Sequence, residues 1–437
     1  MRKNVPGPYP LQIFGNVLPC FMGRLSFGVV YRDIYRLFEE YPAVGLFRLL
    51  TPILLARDPA FIRRILQIDA DYFYDNEWTV DPRKEPLMSK NPLVQKGKKW
   101  EETTNLLRPA FFPERLKFYL TEIYGVSEKM ISYIESKSSD NVTYSVFAHS
   151  ANSFDSDKPK FMETADHFAV RAQGRLLFQQ TLPLLSNLLM LKIIPRSTGS
   201  RFNDFMDFQL NEAERNLSST EITGHSAMVL QEGYEITSLV LSYVLYNLAR
   251  NMHCQSRARG EIEFYDQRCG GLGRMPFDRL DNLEYTNACI YESMRLCPVL
   301  HHFTRVCTKE YKYKTENTRA YFKRLDFTIE PGTPVIIPYS SFCHDPRYFI
   351  SPYVFNPYRF IRTEELVRNI SFPFGAGHRT CLGKDYGFMQ VQIGVIAILR
   401  RYEITVNERT AKPFKYEPYK MLNKVRGGIW LNFRRLY

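Results

Sequence analysis

A single cysteine on a glycine-rich loop constrains this chain more than any other feature. Residues 371–384 read SFPFGAGHRTCLGK, and a helical run follows Cys381 at once. Backbone N–H groups at a helix N-terminus stabilise negative charge, so this setting favours the thiolate of Cys381. The glycines permit tight turns and close approach of a flat group, and Arg379 offers a guanidinium to an anion. A lone cysteine in a turn is usually buried and structural, so the neighbouring positions decide between a ligand and a core residue.

Five spaced positions of this loop closely resemble the proximal heme-binding signature of the cytochrome P450 family. They are Phe374, Gly377, Arg379, Cys381 and Gly383. The resemblance implies heme b as the cofactor, these five residues as heme-binding residues, and Cys381 as the thiolate ligand of the iron.

Two further motifs occur in the order that this family has. Glu292 and Arg295 form an E-x-x-R pair, and FNPYRF at 355–360 supplies Arg359. Residues three apart share a helix face and can form an ion pair, which at a surface contributes only about 0–1 kcal/mol. The resemblance implies instead a buried structural triad of Glu292, Arg295 and Arg359 that braces the heme-binding core.

The resemblance extends from PGPYP near residue 6 to GGIWLNF at 427–433 and implies a mainly α fold with small β-sheets. A helical bundle would surround the buried heme within a single domain, 1–437. Its expected parts are a proline-rich hinge (6–16), a long central helix (217–251) opened by a Ser218–Glu221 capping box, and the heme-thiolate loop with its following helix (371–402).

Local patterns add expectations for the remaining segments. Short apolar runs between turns predict a small β region over 6–60, and 303–340 read as strands and turns. Helical character spans 96–120 with breaks at its prolines, and a helix over 283–297 ends before Pro298. The resemblance is weak over 136–211, where the chain looks shortened near residues 141 and 200. The helices that roof the cavity are therefore expected to be shortened. The apolar run at 182–194 is interpreted as a buried helix, with a shallow membrane dip as the alternative.

The two heme propionates require cations or hydrogen-bond donors. Trp100, Arg305 and Arg379 match family positions with this role, so the resemblance implies that they bind the cofactor. Relatives often carry an arginine four residues after the tryptophan, where this chain has Thr104. Arg108, one turn further, is a possible replacement.

The distal side departs from the family pattern. In LQEGYEIT at 230–237, Glu235 matches the catalytic acid of oxygen-activating members, but Ile236 stands where a threonine is expected. Thr237 follows one residue late, and this offset turns a helical side chain by about 100°. Glu235 and Thr237 are the candidate catalytic residues, with the proviso that Thr237 does not simply replace the usual threonine.

Glu232 is a third candidate catalytic residue, at a position where relatives usually carry a small side chain. In the fatty-acid hydroxylase branch a glutamate here becomes esterified to a heme methyl group. The resemblance therefore suggests that Glu232 lies over the heme edge, with or without a covalent link. The preferred alternative is a carboxylate that points to water from the polar side of the helix.

Charge and cysteine usage limit the partners and the compartment. The net charge of +12 favours an acidic protein or a membrane surface, since nothing resembles a nucleic-acid-binding module. The eight cysteines are scattered without a C-x-x-C pair, which argues against a disulfide framework or a zinc site. His301 and His302 are neighbours and would point in opposite directions, so they are expected to line the pocket rather than bind a metal.

The resemblance implies a microsomal monooxygenase that acts on a lipophilic small molecule. Electrons would come from an NADPH-cytochrome reductase, a flavoprotein docking near Lys98, Lys99 and Lys384, with cytochrome b5 as a further candidate partner. The expected location is the cytoplasmic face of the endoplasmic reticulum membrane, with the N-terminal anchor missing before the hinge. Two alternatives stay open: an isomerase or dehydratase acting on peroxides, suggested by Ile236, and a heme-binding remnant without turnover, suggested by the shortened middle.

Overall fold

The computed structural model describes residues 5–137, 143–144, 218–271, 273–315, 321–361, 371–418 and 420–436. The predicted fold class is confirmed, since helices predominate and the strands form three small sheets. The region 136–211, including the apolar run at 182–194, lies almost entirely outside the described residues.

The helices alternate with short loops along the chain. They are α1 (Leu18–Phe21), α2 (Phe27–Leu37), α3 (Pro59–Arg63), α4 (Gly97–Leu107), α5 (Pro113–Lys137), α6 (Ser219–Arg250), α7 (Met252–Arg268), α8 (Phe277–Leu280), α9 (Glu284–Leu296), α10 (Tyr339–Cys343), α11 (Tyr358–Ile361) and α12 (Lys384–Arg401).

The strands of the described residues are two to six residues long. They are β1 (Ala43–Arg48), β2 (Thr51–Ala56), β3 (Thr143–Tyr144), β4 (Phe303–Val306), β5 (Tyr311–Tyr313), β6 (Phe327–Ile329), β7 (Pro334–Ile337), β8 (Tyr402–Val406) and β9 (Leu431–Arg435). The largest sheet has the order β1-β2-β7-β4, in which only the β2–β7 pair is parallel.

The N-terminal region is more helical than the sequence predicted. Strands β1 and β2 are present, but α2 occupies 27–37 inside the expected β region. Its buried Val30, Tyr31, Ile34 and Tyr35 follow helical spacing, and the side chain of Ser26 caps the N-terminus by accepting a hydrogen bond from the N–H of Val29. The prediction was wrong for this segment because the short apolar runs were given more weight than the helical period.

The central helix α6 is capped as predicted. The Ser218 hydroxyl accepts from the N–H of Glu221, and the Glu221 carboxylate accepts from the N–H of Ser218. From Leu239 to Ala249 its side chains are buried, so α6 runs through the main core.

Helix α12 crosses closely against α6 because glycines lie at the contact. A Cβ at Gly394 would come within 2.9 Å of the Leu241 side chain, and a Cβ at Gly387 would lie 3.7 Å from the Thr237 hydroxyl. The crossing brings the start of α12, and with it the Cys381 loop, next to the middle of α6. Among the described helices, none is both long and apolar enough to span a membrane.

Candidate active site

A cavity of about 430 Å³ lies between α6 and the Cys381 loop. Its walls are largely apolar and aromatic, as in most small-molecule sites. Every candidate catalytic residue and most candidate heme-binding residues line it; those that do so are Trp100, Glu232, Glu235, Thr237, Arg305, Phe374, Arg379, Cys381 and Gly383. Gly377 lies behind this wall and shapes the loop.

The Cys381 loop holds its sulfur with backbone groups. The N–H of Cys381 donates to the carbonyl of Phe374 at 2.8 Å, which closes the loop, and the backbone N–H of Gly383 lowers the pKa of the Cys381 thiol. The exposed surface of Cys381 belongs to the cavity wall. The loop therefore presents one sulfur atom to the cavity with its other side tied to the backbone.

Gly377 is required by both conformation and space. Its φ of +73° lies in the left-handed region, and a Cβ there would come within 1.6 Å of the Leu66 carbonyl oxygen. The backbone of the loop thus packs directly against the backbone of the helical turn at Arg64–Ile68. This contact helps to hold the loop that carries Cys381 in place.

The protonation of Cys381 differs from the expectation. Burial raises the pKa of its thiol to about 11, the nearby Glu232 carboxylate raises it further, and the Gly383 N–H lowers it. The helix N-terminus was predicted to favour the thiolate, but desolvation outweighs it in the metal-free chain. A thiol that coordinates a cation is deprotonated by that cation, so this site needs a bound iron to hold the thiolate.

Arg305 is a buried cation without a carboxylate partner among the described residues. One terminal nitrogen donates to the Asn76 side-chain oxygen at 2.9 Å and to the Thr304 carbonyl at 2.8 Å. Burial and the positive charge of Arg379 lower the pKa of its guanidinium to about 10. An anionic group at this end of the cavity would relieve both penalties, so the site fits a propionate here.

Arg379 is held more tightly by the protein than Arg305. Its donors bind the carbonyls of Tyr74, Pro92 and Gln95 and the Asp75 carboxylate at 2.7–3.1 Å. These contacts occupy four of its five N–H groups, and one remains for a ligand. Its guanidinium also stacks over the Trp100 ring, with its central carbon 4.3 Å from the ring centre.

The position four residues after Trp100, where relatives often carry an arginine, holds Thr104 here. Thr104 lines the cavity, and its buried hydroxyl has no hydrogen-bond partner in the described part of the protein. Arg108 is exposed and does not line the cavity, so it does not replace the arginine that relatives carry. The described site therefore offers Arg305, Arg379 and Trp100 to the two propionates, with an unoccupied donor at Thr104.

Glu235, Ile236 and Thr237 all line the cavity, and Thr237 also lies at the contact with α12. Glu235 is 6% exposed and lines the cavity. Ile236 lines it as well and packs against the core, so no hydroxyl stands at the usual threonine position. The Thr237 hydroxyl lies beside Gly387 of α12.

Glu232 faces the cavity rather than bulk water. It lines the cavity, and its Oε1 accepts a hydrogen bond of 3.0 Å from the side-chain nitrogen of Asn91. Burial raises the pKa of its carboxyl, and the Asn91 hydrogen bond lowers it. Its place in the cavity wall differs from the preferred interpretation, a carboxylate that points to water from the polar side of the helix. That Glu232 lies over the heme edge stays a prediction.

The E-x-x-R helix and the FNPYRF segment meet in the core. Arg295 binds both carboxylate oxygens of Glu292 at 2.7 and 2.9 Å, and Arg359 binds the same carboxylate at 3.3 Å. The side chains of Glu292 and Arg295 have no exposed surface. Arg295 also donates to the carbonyls of Cys343 and Pro352, so the cluster ties α9 to the loop that leads to α11.

His301 and His302 both line the cavity. Burial lowers the pKa of His301 to about 4 and that of His302 to about 3, so both are neutral at pH 7. His302 packs edge-on against Tyr31 with a centroid distance of 4.9 Å. The described residues contain no group of three or more side chains suited to a metal ion.

Sequence reasoning missed the residues that orient these groups. Asn76 and Asp75 hold the two arginines, and Asn91 holds Glu232, across separations of 229, 304 and 141 residues respectively. No local motif marks them. Only the folded chain brings them to the cavity.

The comparisons with known proteins all point to one family over most of the chain. The sequence profile described as "Cytochrome P450" matches residues 5–154 and 190–431. Similar curated proteins include "Probable cytochrome P450 28a5" of Drosophila melanogaster, 28% identical over 100% of this chain and 94% of that protein. "Cytochrome P450 6B6" of Helicoverpa armigera is 28% identical over 99% of this chain and 93% of its own. "Cytochrome P450 9e2" of Blattella germanica is 23% identical over 98% and 92%.

The same comparisons show that the chain differs from its relatives within residues 155–189 and is shorter than they are. The profile leaves 155–189 unmatched, inside the weakly resembling region. The alignment with the Drosophila protein spans 488 positions, whereas the chain has 437 residues. The relative therefore contains residues that have no counterpart here.

Proposed function

Because this chain belongs to the cytochrome P450 family of heme-thiolate monooxygenases, we propose that it inserts one oxygen atom from O2 into a lipophilic small molecule with electrons from an NADPH-cytochrome reductase. The single observation that carries this proposal is the position of the Cys381 sulfur in the wall of a largely apolar cavity. When bound, heme b supplies the activation of O2. The protein supplies the ligand, the anion contacts and the substrate walls.

The residues around the cavity divide this work. Cys381 would ligate the iron, and the Gly383 N–H that bonds its sulfur would moderate the charge of the thiolate. Arg305 and Arg379 would hold the propionates, and Trp100 would support Arg379 from its other side. The aromatic walls exclude water from the substrate.

Proton delivery on the distal side is assigned to Glu235. It lies in the cavity wall without a threonine at the next position, so a water or a substrate hydroxyl would complete the path. Thr237 stays a second candidate. Replacing Glu235 with Gln should lower substrate oxidation more than NADPH consumption, with the difference released as peroxide. An unchanged ratio of product to NADPH would remove Glu235 from the path.

The ferrous–carbon monoxide difference spectrum tests the central assignment. The purified holoprotein should show a Soret band typical of thiolate ligation, and Cys381→Ala should lose it. Cys20→Ala is a matched control, since Cys20 is buried but outside the cavity wall. A band typical of histidine or neutral-thiol ligation in the unaltered protein would overturn the proposal.

An exposed basic surface supports docking of the reductase. Lys98, Lys99 and Lys384 are all exposed, the first two on α4 next to Trp100 and the third directly after the Cys381 loop. An acidic flavoprotein domain would be steered to it. Lys99→Glu with Lys384→Glu should slow reduction of the iron by the reductase several-fold at low salt, and Lys312→Glu on β5 should not. Cytochrome b5 is proposed for the same surface, and the charge-reversed protein should lose its stimulation too.

An exposed apolar patch supports membrane association near the hinge. The N-terminal apolar patch comprises Tyr9, Leu11, Ile13, Phe47 and Leu50, which are 38–100% exposed. Two hydrogen bonds join the hinge to the end of β1. The N–H of Asn16 donates to the carbonyl of Phe47, and the N–H of Phe47 donates to the side-chain oxygen of Asn16. We place this patch at the endoplasmic reticulum membrane surface, with the protein on the cytoplasmic face.

Sedimentation with anionic phospholipid vesicles tests the membrane proposal. Leu11→Ser, Ile13→Ser and Leu50→Ser together should reduce the bound fraction. Ile350→Ser with Tyr353→Ser is the control, because these side chains are 83% and 64% exposed away from the hinge. Equal losses in both proteins would mean that the N-terminal apolar patch has no special role.

Ile236 favours one second candidate, a reductase-independent isomerase or dehydratase acting on peroxides. NADPH-dependent oxygen consumption in the presence of the reductase distinguishes the two. Peroxide rearrangement without the reductase, and no NADPH oxidation, would favour the second candidate. A heme-bound protein with neither activity would be the remnant without turnover.

A further inference from the structure

Glu232 places a carboxylate without a cation in a largely apolar cavity. Its Oε1 accepts from Asn91, and its second oxygen has no hydrogen-bond partner among the described residues. Asn91 is 3% exposed, and its own side-chain oxygen accepts from the N–H of Leu93 at 2.7 Å. The amide is therefore oriented, with its nitrogen directed at Glu232. This contact fixes the carboxylate without neutralising it.

The cations of the described cavity wall do not neutralise Glu232 either. Arg48 is paired with Glu77, and Arg305 and Arg379 lie together at the propionate end. Lys420 also lines the cavity. Asn91 is the hydrogen-bond partner of Glu232 among the described residues, and no ion pair joins Glu232 to any of these cations.

A second acid lies beside Glu232 in the cavity wall. Glu235 lies three residues further along α6, on the same face, and lines the cavity as well. Across the cavity, Glu232 acts electrostatically on the Cys381 sulfur. The carboxylate thus lies within range of the reacting centre, and a ligand that pairs with it would be held near that centre.

We propose that Glu232 determines substrate specificity and that the substrates are lipophilic amines, whose protonated nitrogen pairs with this carboxylate while the apolar walls hold the hydrocarbon part. A carboxylate that faces a largely apolar cavity with one free oxygen is stabilised most by a ligand that brings a positive charge. The inference rests on the proposed function, since it names the substrate class of the same cavity.

Two probes of equal shape test the charge requirement in the heme-loaded protein. One is a phenylalkyl chain that ends in trimethylammonium, and the other ends in the uncharged tert-butyl group. The quaternary nitrogen neither loses its charge nor binds iron, so direct ligation cannot imitate the effect. Dissociation constants are measured by equilibrium dialysis, without turnover.

Glu232→Gln should weaken binding of the trimethylammonium probe roughly 10- to 100-fold and leave the tert-butyl probe within about twofold. Gln keeps the shape and can still accept from Asn91, so the cavity should stay intact. Glu101→Gln removes the same charge from the exposed side of α4, outside the cavity wall, and should change neither constant.

Three results would overturn the inference. Equal weakening of both probes would indicate a role in shape alone. Unchanged binding of the ammonium probe to Glu232→Gln would assign the charge preference to another group. Heme that resists acid–acetone extraction from the unaltered protein but not from Glu232→Gln would show an ester, which leaves no carboxylate for an amine. A normal thiolate spectrum with any of these results leaves the proposed function intact, whereas loss of that spectrum would contradict the proposed function itself.

Discussion

Arg305 is a buried cation that lacks an anionic partner among the described residues. Its guanidinium is buried, the positive charge of Arg379 lowers its pKa, and Asn76 supplies only a neutral acceptor. Such a group opposes folding on its own and favours binding of an anion. Cofactor binding and stability of the metal-free chain therefore depend on Arg305 in opposite ways.

Replacing Arg305 with Met should separate these two effects. Heme affinity is expected to fall roughly 10-fold or more, because one propionate loses a charged partner. The free energy of unfolding of the heme-free protein should stay level or rise, because an unpaired buried charge is removed. Heme transfer to apomyoglobin and urea unfolding measure the two quantities. Arg324→Met, at an exposed side chain, is the control. A parallel fall in both quantities would contradict a role in propionate binding.

Gly377 allows a sharp test of the cysteine loop. Gly377→Ala should destabilise the holoprotein by roughly 1–3 kcal/mol or more, because the new Cβ meets both a left-handed φ and the Leu66 carbonyl. Gly125→Ala in α5 should be neutral or stabilising, since a Cβ there has open space. Urea midpoints and the thiolate band together report the outcome. A stable Gly377→Ala protein with an unchanged spectrum would mean that the loop relaxes without moving Cys381.

At the scale of elements, the site depends on the contacts of α6, α9 and α12. Glycines bring α12 against α6, and the Glu292–Arg295 pair of α9 anchors the segment that leads to Arg359. The sequence predicted the second relation, since E-x-x-R spacing puts Glu292 and Arg295 on one helix face, but it did not predict the contact of α12 with α6. Burial could not be derived from spacing alone. It arises because α10 and the loop at 351–356 close over the pair.

Glu292→Gln should cost about 3–5 kcal/mol of unfolding free energy, because two arginines then share no carboxylate in the core. Glu284→Gln on the exposed start of α9 is the matched control and should change stability by less than about 0.5 kcal/mol. Urea unfolding of the holoproteins measures the difference. Similar midpoints for the two variants would show that the Arg295 contacts with backbone carbonyls are sufficient.

At the scale of the whole molecule, buried histidines connect stability to pH. His301 and His302 join the cavity wall to the Tyr31 face of α2, and burial keeps their pKa values near 4 and 3. The unfolded chain takes up protons near pH 6.5, before the folded chain does. Their contribution to stability is therefore full above pH 6.5 and is lost as pH falls towards 3–4.

His302→Phe should flatten this dependence. Phe keeps the edge-on contact with Tyr31 but cannot be protonated, so the loss of stability between pH 7 and pH 5 should shrink by roughly 1–2 kcal/mol. Urea unfolding of both proteins at the two pH values gives the comparison. The same pH slope in the variant and the unaltered protein would show that His302 does not titrate on unfolding.

The sequence by itself determined the family, the mainly α fold class and the loop that carries Cys381. These depend on short-range patterns: glycines at turns, a cap at Ser218, and spacing along one helix. The tertiary structure decided the rest. It turned Glu232 into the cavity, supplied Asn91, Asn76 and Asp75 as partners and left Arg108 outside. It also placed Cys381 in the wall of the cavity, where desolvation raises the pKa of its thiol. Partner choice and desolvation depend on residues far apart in the chain, so no local pattern could have given them.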